Sequence, residues 1–253
     1  MWAGLLELLI PLKCEGCGAL GAAFCAACCD RIERILPPTC GQCGVPLPAP
    51  EGHPPAHIPV VPVPAVRCSA CTLSPPPFDA ARSMAVYDGR LRRAICGLKF
   101  HGRKAAAGVL GGLLAALAPL EITRGVELVV PVPLHPAKLR ARGFNQSDLL
   151  ARPVASMLGV PCAARALRRV HQDHLQVELR AFARAGNVRN AFAPGDDTVT
   201  GTVLLVDDVF STGSTAAACA LALKDAGADR VVVLTLARAL RRTGSATPTG
   251  SRR

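Results

Sequence analysis

Val203-Leu204-Leu205-Val206-Asp207-Asp208-Val209-Phe210-Ser211-Thr212-Gly213-Ser214-Thr215 is the stretch that decides the fold. Residues 203–206 are apolar and read as a buried strand. Two adjacent carboxylates follow, then a loop of hydroxyls and one glycine. The alanine- and leucine-rich residues 216–226 read as a helix closed by Gly227. A strand that ends in acids and turns through small hydroxyl residues into a helix is suited to a sugar phosphate. Loop N–H groups and hydroxyls face the anion, and the helix dipole favours it. The acids at the strand end reach sugar hydroxyls. Asp207 and Asp208 are therefore the candidate catalytic acids, and Ser211, Thr212, Gly213, Ser214 and Thr215 the candidate phosphate cradle.

Outward from this motif, strands and helices alternate from Phe78 onward. Residues 80–87 read as a strand. Residues 91–99 read as a helix ending at Phe100-His101-Gly102, and 105–117 as a second helix. Residues 128–132 are a buried strand, 144–158 a helix interrupted by Pro153, and 231–236 a last strand. This order predicts an α/β fold, a parallel sheet covered on both faces, with ligands at the carboxyl ends of its strands. A second strand end carries its own signal. Two prolines stiffen Val129-Val130-Pro131-Val132-Pro133-Leu134-His135, and Lys138, Arg140 and Arg142 follow before Gly143. A rigid turn facing clustered cations suits a pyrophosphate, whose oxygens arginine binds bidentately.

The front of the chain obeys other rules. Nine of the twelve cysteines lie within the first 71 residues, and eight form CxxC knuckles: Cys14/Cys17, Cys25/Cys28, Cys40/Cys43 and Cys68/Cys71. A knuckle supplies two corners of a tetrahedron, and two knuckles close a four-thiolate zinc site. Disulfides would need an oxidising compartment, for which no export signal is visible. A redox CxxC occurs once on a βαβ unit rather than four times in irregular sequence. The spacing leaves open which knuckle pairs with which. Cys29 competes with Cys28, which completes the CxxC with Cys25. His53 and His57 fall in the proline-rich stretch 49–65, read as a solvated loop.

A chain of 253 residues, half of them apolar, is long enough for one main domain and a small accessory one. The expected division is a Cys-rich module over 1–74, an α/β domain over 78–240 and a disordered basic tail over 241–253. A net charge of +11 suits a polyanionic partner, whereas one Trp and one Tyr leave few platforms for stacking bases. Residues 1–12 are apolar but contain Glu7, lack a basic start and are too short to span a bilayer. They read as a short amphipathic helix. With no other long apolar run, the expectation is a soluble cytoplasmic protein without membrane insertion.

The acid-pair loop resembles the ribose-phosphate signature of type I phosphoribosyltransferases, with Ser211 where threonine is more usual. Residues 130–135, Arg142-Gly143-Phe144-Asn145-Gln146, Tyr87-Asp88-Gly89, Leu98-Lys99-Phe100 and the stretch 176–188 look like the ComF family of competence-associated phosphoribosyltransferase-like proteins. The cysteine module is similar to that family's double zinc ribbon. The resemblance implies 5-phosphoribosyl 1-pyrophosphate (PRPP) with Mg²⁺ as ligand and structural Zn²⁺ in front. It implies that residues 211–215 hold the 5-phosphate and that Asp207 and Asp208 accept from the ribose hydroxyls. His135, Lys138, Arg140 and Arg142 would then lie at the pyrophosphate. The implied activity is phosphoribosyl transfer to an unidentified acceptor, linked to DNA uptake or nucleotide metabolism. The alternative is a non-catalytic factor that keeps the fold and associates with single-stranded DNA and DNA-uptake proteins. No Walker A sequence is present, which excludes a P-loop motor. No glutamine-splitting domain precedes the fold.

Overall fold

A computed structural model describes residues 12–48, 66–170 and 191–240. The readings made for residues 1–11, His53, His57, the stretch 176–188 and the tail from Arg241 lie outside the described residues.

The Cys-rich front carries two short helices, α1 (Ala26–Cys29) and α2 (Ser69–Leu73). Strand β1 (Ala80–Val86) leads into helices α3 (Gly89–His101), α4 (Ala105–Ala116) and α5 (Leu120–Thr123). Strand β2 (Leu128–Pro131) is followed by α6 (Pro136–Arg142) and α7 (Gln146–Leu158). Then come β3 (Leu167–Arg169), β4 (Phe192–Pro194), β5 (Thr202–Phe210), α8 (Ser214–Asp225) and β6 (Arg230–Arg238). The main sheet has the order β1-β6-β5-β2, with every neighbouring pair parallel. The expected parallel α/β architecture is present. Strands β3 and β4 form a separate antiparallel pair that the sequence reading did not anticipate.

Alternation along the strands divides the interior in two. Leu204 and Val206 of β5 pack with Leu91, Ile95, Leu110 and Leu150 of α3, α4 and α7. Val203 and Leu205 point to the other face and pack with Cys219 and Leu223 of α8. Period-two alternation of a strand buried on both faces produces this split.

Among the described residues the cysteine region has no core of its own. Cys14, Phe24 and Cys28 belong to the first of these cores, and Cys40, Cys43 and Cys71 to the second. The chain between the two groups runs along the outer edge of β1. Ile35 N–H donates to the Met84 carbonyl at 3.0 Å, and Val86 N–H donates to the Glu33 carbonyl at 2.8 Å. These contacts cover an edge strand that would otherwise present bare backbone groups.

Three boundaries differ from the sequence reading. Strand β5 continues through both aspartates to Phe210, because β6 runs beside it as far as Arg238 and keeps the ladder paired. The acids therefore lie within the strand rather than beyond its end. Helix α7 starts at Gln146, where Asn145 Oδ1 accepts from the Ser147 N–H, and it continues past Pro153 without interruption. Gly111 of α4 packs against Pro153, at a position where a Cβ would approach the ring to 2.8 Å. The expected stiff loop after β2 is the helix α6, started by Pro136 at its first turn and capped by His135.

Candidate functional site

The end of β5 and the start of α8 form the cradle. Ser211 to Gly213 make the turn, and Ser214 and Thr215 already belong to the first helical turn. Gly213 has φ 82°, and a Cβ there would lie 2.7 Å from the Phe210 ring, so both backbone and space demand glycine. Thr212 and Ser214 hydroxyls hydrogen-bond each other at 2.9 Å. The N-cap Gly213 offers no side chain, and at the helix start the Ser214 N–H donates to Thr212 Oγ1 at 3.4 Å, which sets the positive end of α8 against the hydroxyls of the turn. The pocket is lined by Asp207, Phe210, Ser211, Gly213 and Thr215, among others, and its free space is about 20 Å³, enough for about one water.

The two aspartates part company. Asp207 is partly buried and sits on the α8 face, where its Oδ1 accepts from Ser147 Oγ at 2.8 Å and from the Asp208 N–H at 2.9 Å. Burial, and next the charge of Asp208, push its carboxyl up to about 7. Asp208 is 3% exposed and turns to the other face, where its Oδ1 meets Lys99 Nζ of α3 at 2.7 Å. Asp208 Oδ2 is buried and has no hydrogen-bond partner. Lys99 was missed as a site residue in the sequence reading. It lies 109 positions from Asp208, and the only signal was its place in Leu98-Lys99-Phe100.

The four residues expected at a pyrophosphate are distributed over α6 and its cap. His135 is the N-cap, its Nδ1 accepting from the Ala137 N–H at 3.2 Å. Lys138 and Arg140 are exposed, and Arg142 is partly buried. Helical spacing puts Lys138 and Arg142 on one side and Arg140 on the other. Arg142 donates to Gln146 Oε1 and lies 5.9 Å above the Phe100 ring. Burial lowers its pKa, and the charge of Asp208 opposes that shift. The Arg-Gly-Phe-Asn-Gln run is thus chiefly a helix-to-helix turn. Gly143 ends α6, Phe144 packs with Leu98 and Ala107, and Asn145 caps α7.

The eight knuckle cysteines assemble as two sets, Cys14, Cys17, Cys25 and Cys28, and Cys40, Cys43, Cys68 and Cys71. The pairing left open by the spacing is therefore sequential, and Cys29 stays outside. In each set all four sulfurs lie within 4.8 Å of one another. Individual separations are 3.5 Å for Cys14–Cys28, 3.7 Å for Cys17–Cys25 and 3.7 Å for Cys43–Cys68. Four thiolates around one zinc ion would stand about 3.8 Å apart, so both clusters are compatible with structural zinc. The local design repeats. In each, the first cysteine accepts an N–H from the third, at 3.3 Å from Cys25 to Cys14 and from Cys68 to Cys40. Burial raises the thiol pKa at Cys14 and Cys40, but these and neighbouring N–H donors outweigh it and bring each down to about 6. The two clusters lie in the cores on opposite faces of the sheet.

A parallel α/β body, a hydroxyl-glycine cradle after β5 and two four-cysteine clusters together define a phosphoribosyltransferase-type fold joined to a double zinc-ribbon-like front. The chain is 34% identical over 244 residues to the DNA utilization protein YhgH of Escherichia coli K12, covering 92% of this chain and 100% of that protein. It is 33% identical over 240 residues to YhgH of Salmonella typhimurium, with the same coverage. Competence protein F of Haemophilus influenzae is 29% identical over 223 residues, covering 85% and 90%. The chain belongs to this ComF family. No family model matches it. Among solved structures it is similar to the allosteric regulatory enzyme of purine biosynthesis (24% identity, 53% of this chain and 26% of that one, TM-score 0.37). It is also similar to orotate phosphoribosyltransferase from Aeropyrum pernix (20% identity, 58% and 64%, TM-score 0.32). Likenesses this distant carry no argument about the site.

Proposed function

We propose that the protein binds PRPP with Mg²⁺ and transfers its 5-phosphoribosyl group to an acceptor, releasing pyrophosphate. The observation that carries the reading is Asp208, a buried carboxylate with one oxygen on Lys99 and the other without a partner, next in the strand to Asp207, which lines the cradle pocket. A buried unsatisfied acceptor is costly unless a ligand completes it, and a ribose hydroxyl supplies the missing donor. Residues 211–215 hold the 5-phosphate through N–H groups and hydroxyls. Asp207 and Asp208 accept from the ribose hydroxyls and stabilise positive charge as the bond from the anomeric carbon to pyrophosphate breaks. The electron pair leaves with the pyrophosphate, and the acceptor's nucleophile bonds to that carbon. Arg142, with Lys138 on the same side of α6 and His135 at its cap, meets the leaving pyrophosphate. Arg140 serves at its outer margin. When bound with PRPP, Mg²⁺ neutralises pyrophosphate charge.

The test is calorimetric binding of Mg-PRPP together with pyrophosphate release. Wild type binds, and Asp208→Asn loses turnover while keeping its fold and metal content. Failure of the wild type to bind Mg-PRPP overturns the reading.

The names of the relatives, DNA utilization protein and Competence protein F, favour a second role beside the first. A cytoplasmic partner of single-stranded DNA and of DNA-uptake proteins would use the net charge of +11. Among the described residues no helix is long and apolar enough to cross a membrane. DNA affinity that fails to fall with rising salt would sink this role.

A further inference from the structure

Arg238 ends β6 beside Phe210, the last residue of β5. It is 7% exposed. Its Nη1 donates to the Cys43 carbonyl at 2.6 Å, and its Nη2 faces Cys43 Sγ at 3.8 Å. Its guanidinium carbon lies 4.4 Å from the centre of the Phe210 ring. No carboxylate among the described residues pairs with it. A buried guanidinium needs negative charge nearby. Four thiolates around a divalent ion carry a net charge of −2, and the second cluster supplies them within reach. The other side of Phe210 belongs to the cradle. Its ring lines the pocket, packs edge-on to Phe78 at 6.0 Å and lies beneath Gly213.

We propose that Arg238 is a positioning residue that couples the second cysteine cluster to the cradle, so that a metal ion in one and a phosphate monoester in the other hold each other in place. The metal fixes Cys43, Cys43 fixes the guanidinium, and the guanidinium fixes the ring that supports the turn at Gly213. Removing the metal frees the Cys43 carbonyl and sulfur that hold Arg238 in place, and the floor of the cradle loses its support. Linkage makes the effect reciprocal, so an occupied cradle retains the metal. Among the described residues no arginine links the first cluster to Phe210 in this way. Its hydrogen-bonded side-chain contacts with the body, again among the described residues, are Arg90 to Cys28 Sγ at 3.2 Å and Arg103 to Glu15 at 2.9 Å, both on or next to α3.

This inference rests on the phosphate reading of the cradle, and the experiment separates the two. Ribose 5-phosphate is the probe, its binding followed by phosphorus NMR. The metal-loaded full chain is then challenged with a chelator and a thiol alkylating agent, and labelling is resolved peptide by peptide. Ribose 5-phosphate slows labelling of Cys40, Cys43, Cys68 and Cys71 about three- to tenfold and leaves Cys14, Cys17, Cys25 and Cys28 unchanged. Arg238→Gln abolishes the protection, and Arg238→Lys, which keeps a cation over the ring, restores part of it. Binding with no protection, or with equal protection of both clusters, overturns the coupling and spares the phosphate reading. No binding to the wild type overturns both. The wild-type measurement decides the question even if a variant fails to fold.

Discussion

The two faces of the sheet carry the same device in different settings. Each holds a four-cysteine cluster with the same CxxC-Gly start, the same N–H to sulfur bond and a second knuckle at the start of a short helix. Each also receives one of the paired aspartates. On the α3 face the cluster has an exposed corner, Cys17, and attaches through the surface pair Glu15–Arg103 and the bond from Arg90. On the α8 face, Arg238, Gln42 and Arg82 tie the cluster into the strands. Gln42 Nε2 donates to the Pro76 carbonyl at 3.2 Å, and Arg82 Nη1 donates to the Gly41 carbonyl at 3.1 Å. Identical local chemistry therefore carries unequal weight, and the difference comes from what surrounds it.

Paired substitutions test that inequality. The largest effect is expected from Cys71→Ser, which removes a buried ligand from the α8-face cluster and lowers the stability of the whole chain by more than about 4 kcal/mol. Cys17→Ser, at the exposed corner of the other cluster, releases one metal equivalent with a much smaller change in the melting of the body. Calorimetric melting with metal analysis reads both, and equal losses would erase the distinction.

Next come the two glycines that close the knuckles. Gly18 and Gly44 both have positive φ, 81° and 71°. A Cβ on Gly44 would stand 2.3 Å from the Ala81 carbonyl of β1, whereas at Gly18 nothing lies within 4 Å. Gly44→Ala therefore costs more than about 2 kcal/mol, and Gly18→Ala about 1 kcal/mol of backbone strain alone. Urea unfolding of the two variants gives the comparison directly.

The aspartates extend the test to pH. A free aspartic acid titrates near 3.8, and Asp207 is raised to about 7. Between those values the folded chain keeps a proton that the unfolded chain has lost, so this group's contribution to stability falls as pH rises through the window. Asp207→Asn removes that slope and stabilises the protein at pH about 8 by on the order of 1–2 kcal/mol. Unchanged slopes between pH about 5 and about 8 would show that Asp207 is not the group titrating there.

The features legible in the sequence were the local ones. The cradle could be read because strand, acids, hydroxyl turn and helix are consecutive, and the eight thiols because a knuckle is four residues long. Helices α3 and α4 and strand β1 were placed within about two residues by apolar pattern and by Gly102. Pairing between knuckles was open because it is decided by how the chain passes along β1. The extension of β5 depends on β6, and Pro153 within α7 packs against Gly111 of α4, contacts that periodicity does not encode. The Lys99–Asp208 and Arg238–Cys43 contacts join residues more than a hundred positions apart. Nothing near Arg238 in the sequence marks it off from the other arginines of a basic chain.

The backbone pairing of Glu33 and Ile35 with β1 has a practical consequence for anyone dissecting this molecule. A shortened version beginning near Phe78 would present an open row of amides and carbonyls to its neighbours. Such a fragment should stack side by side into insoluble material, so the α/β body is best studied with its cysteine-bearing front attached.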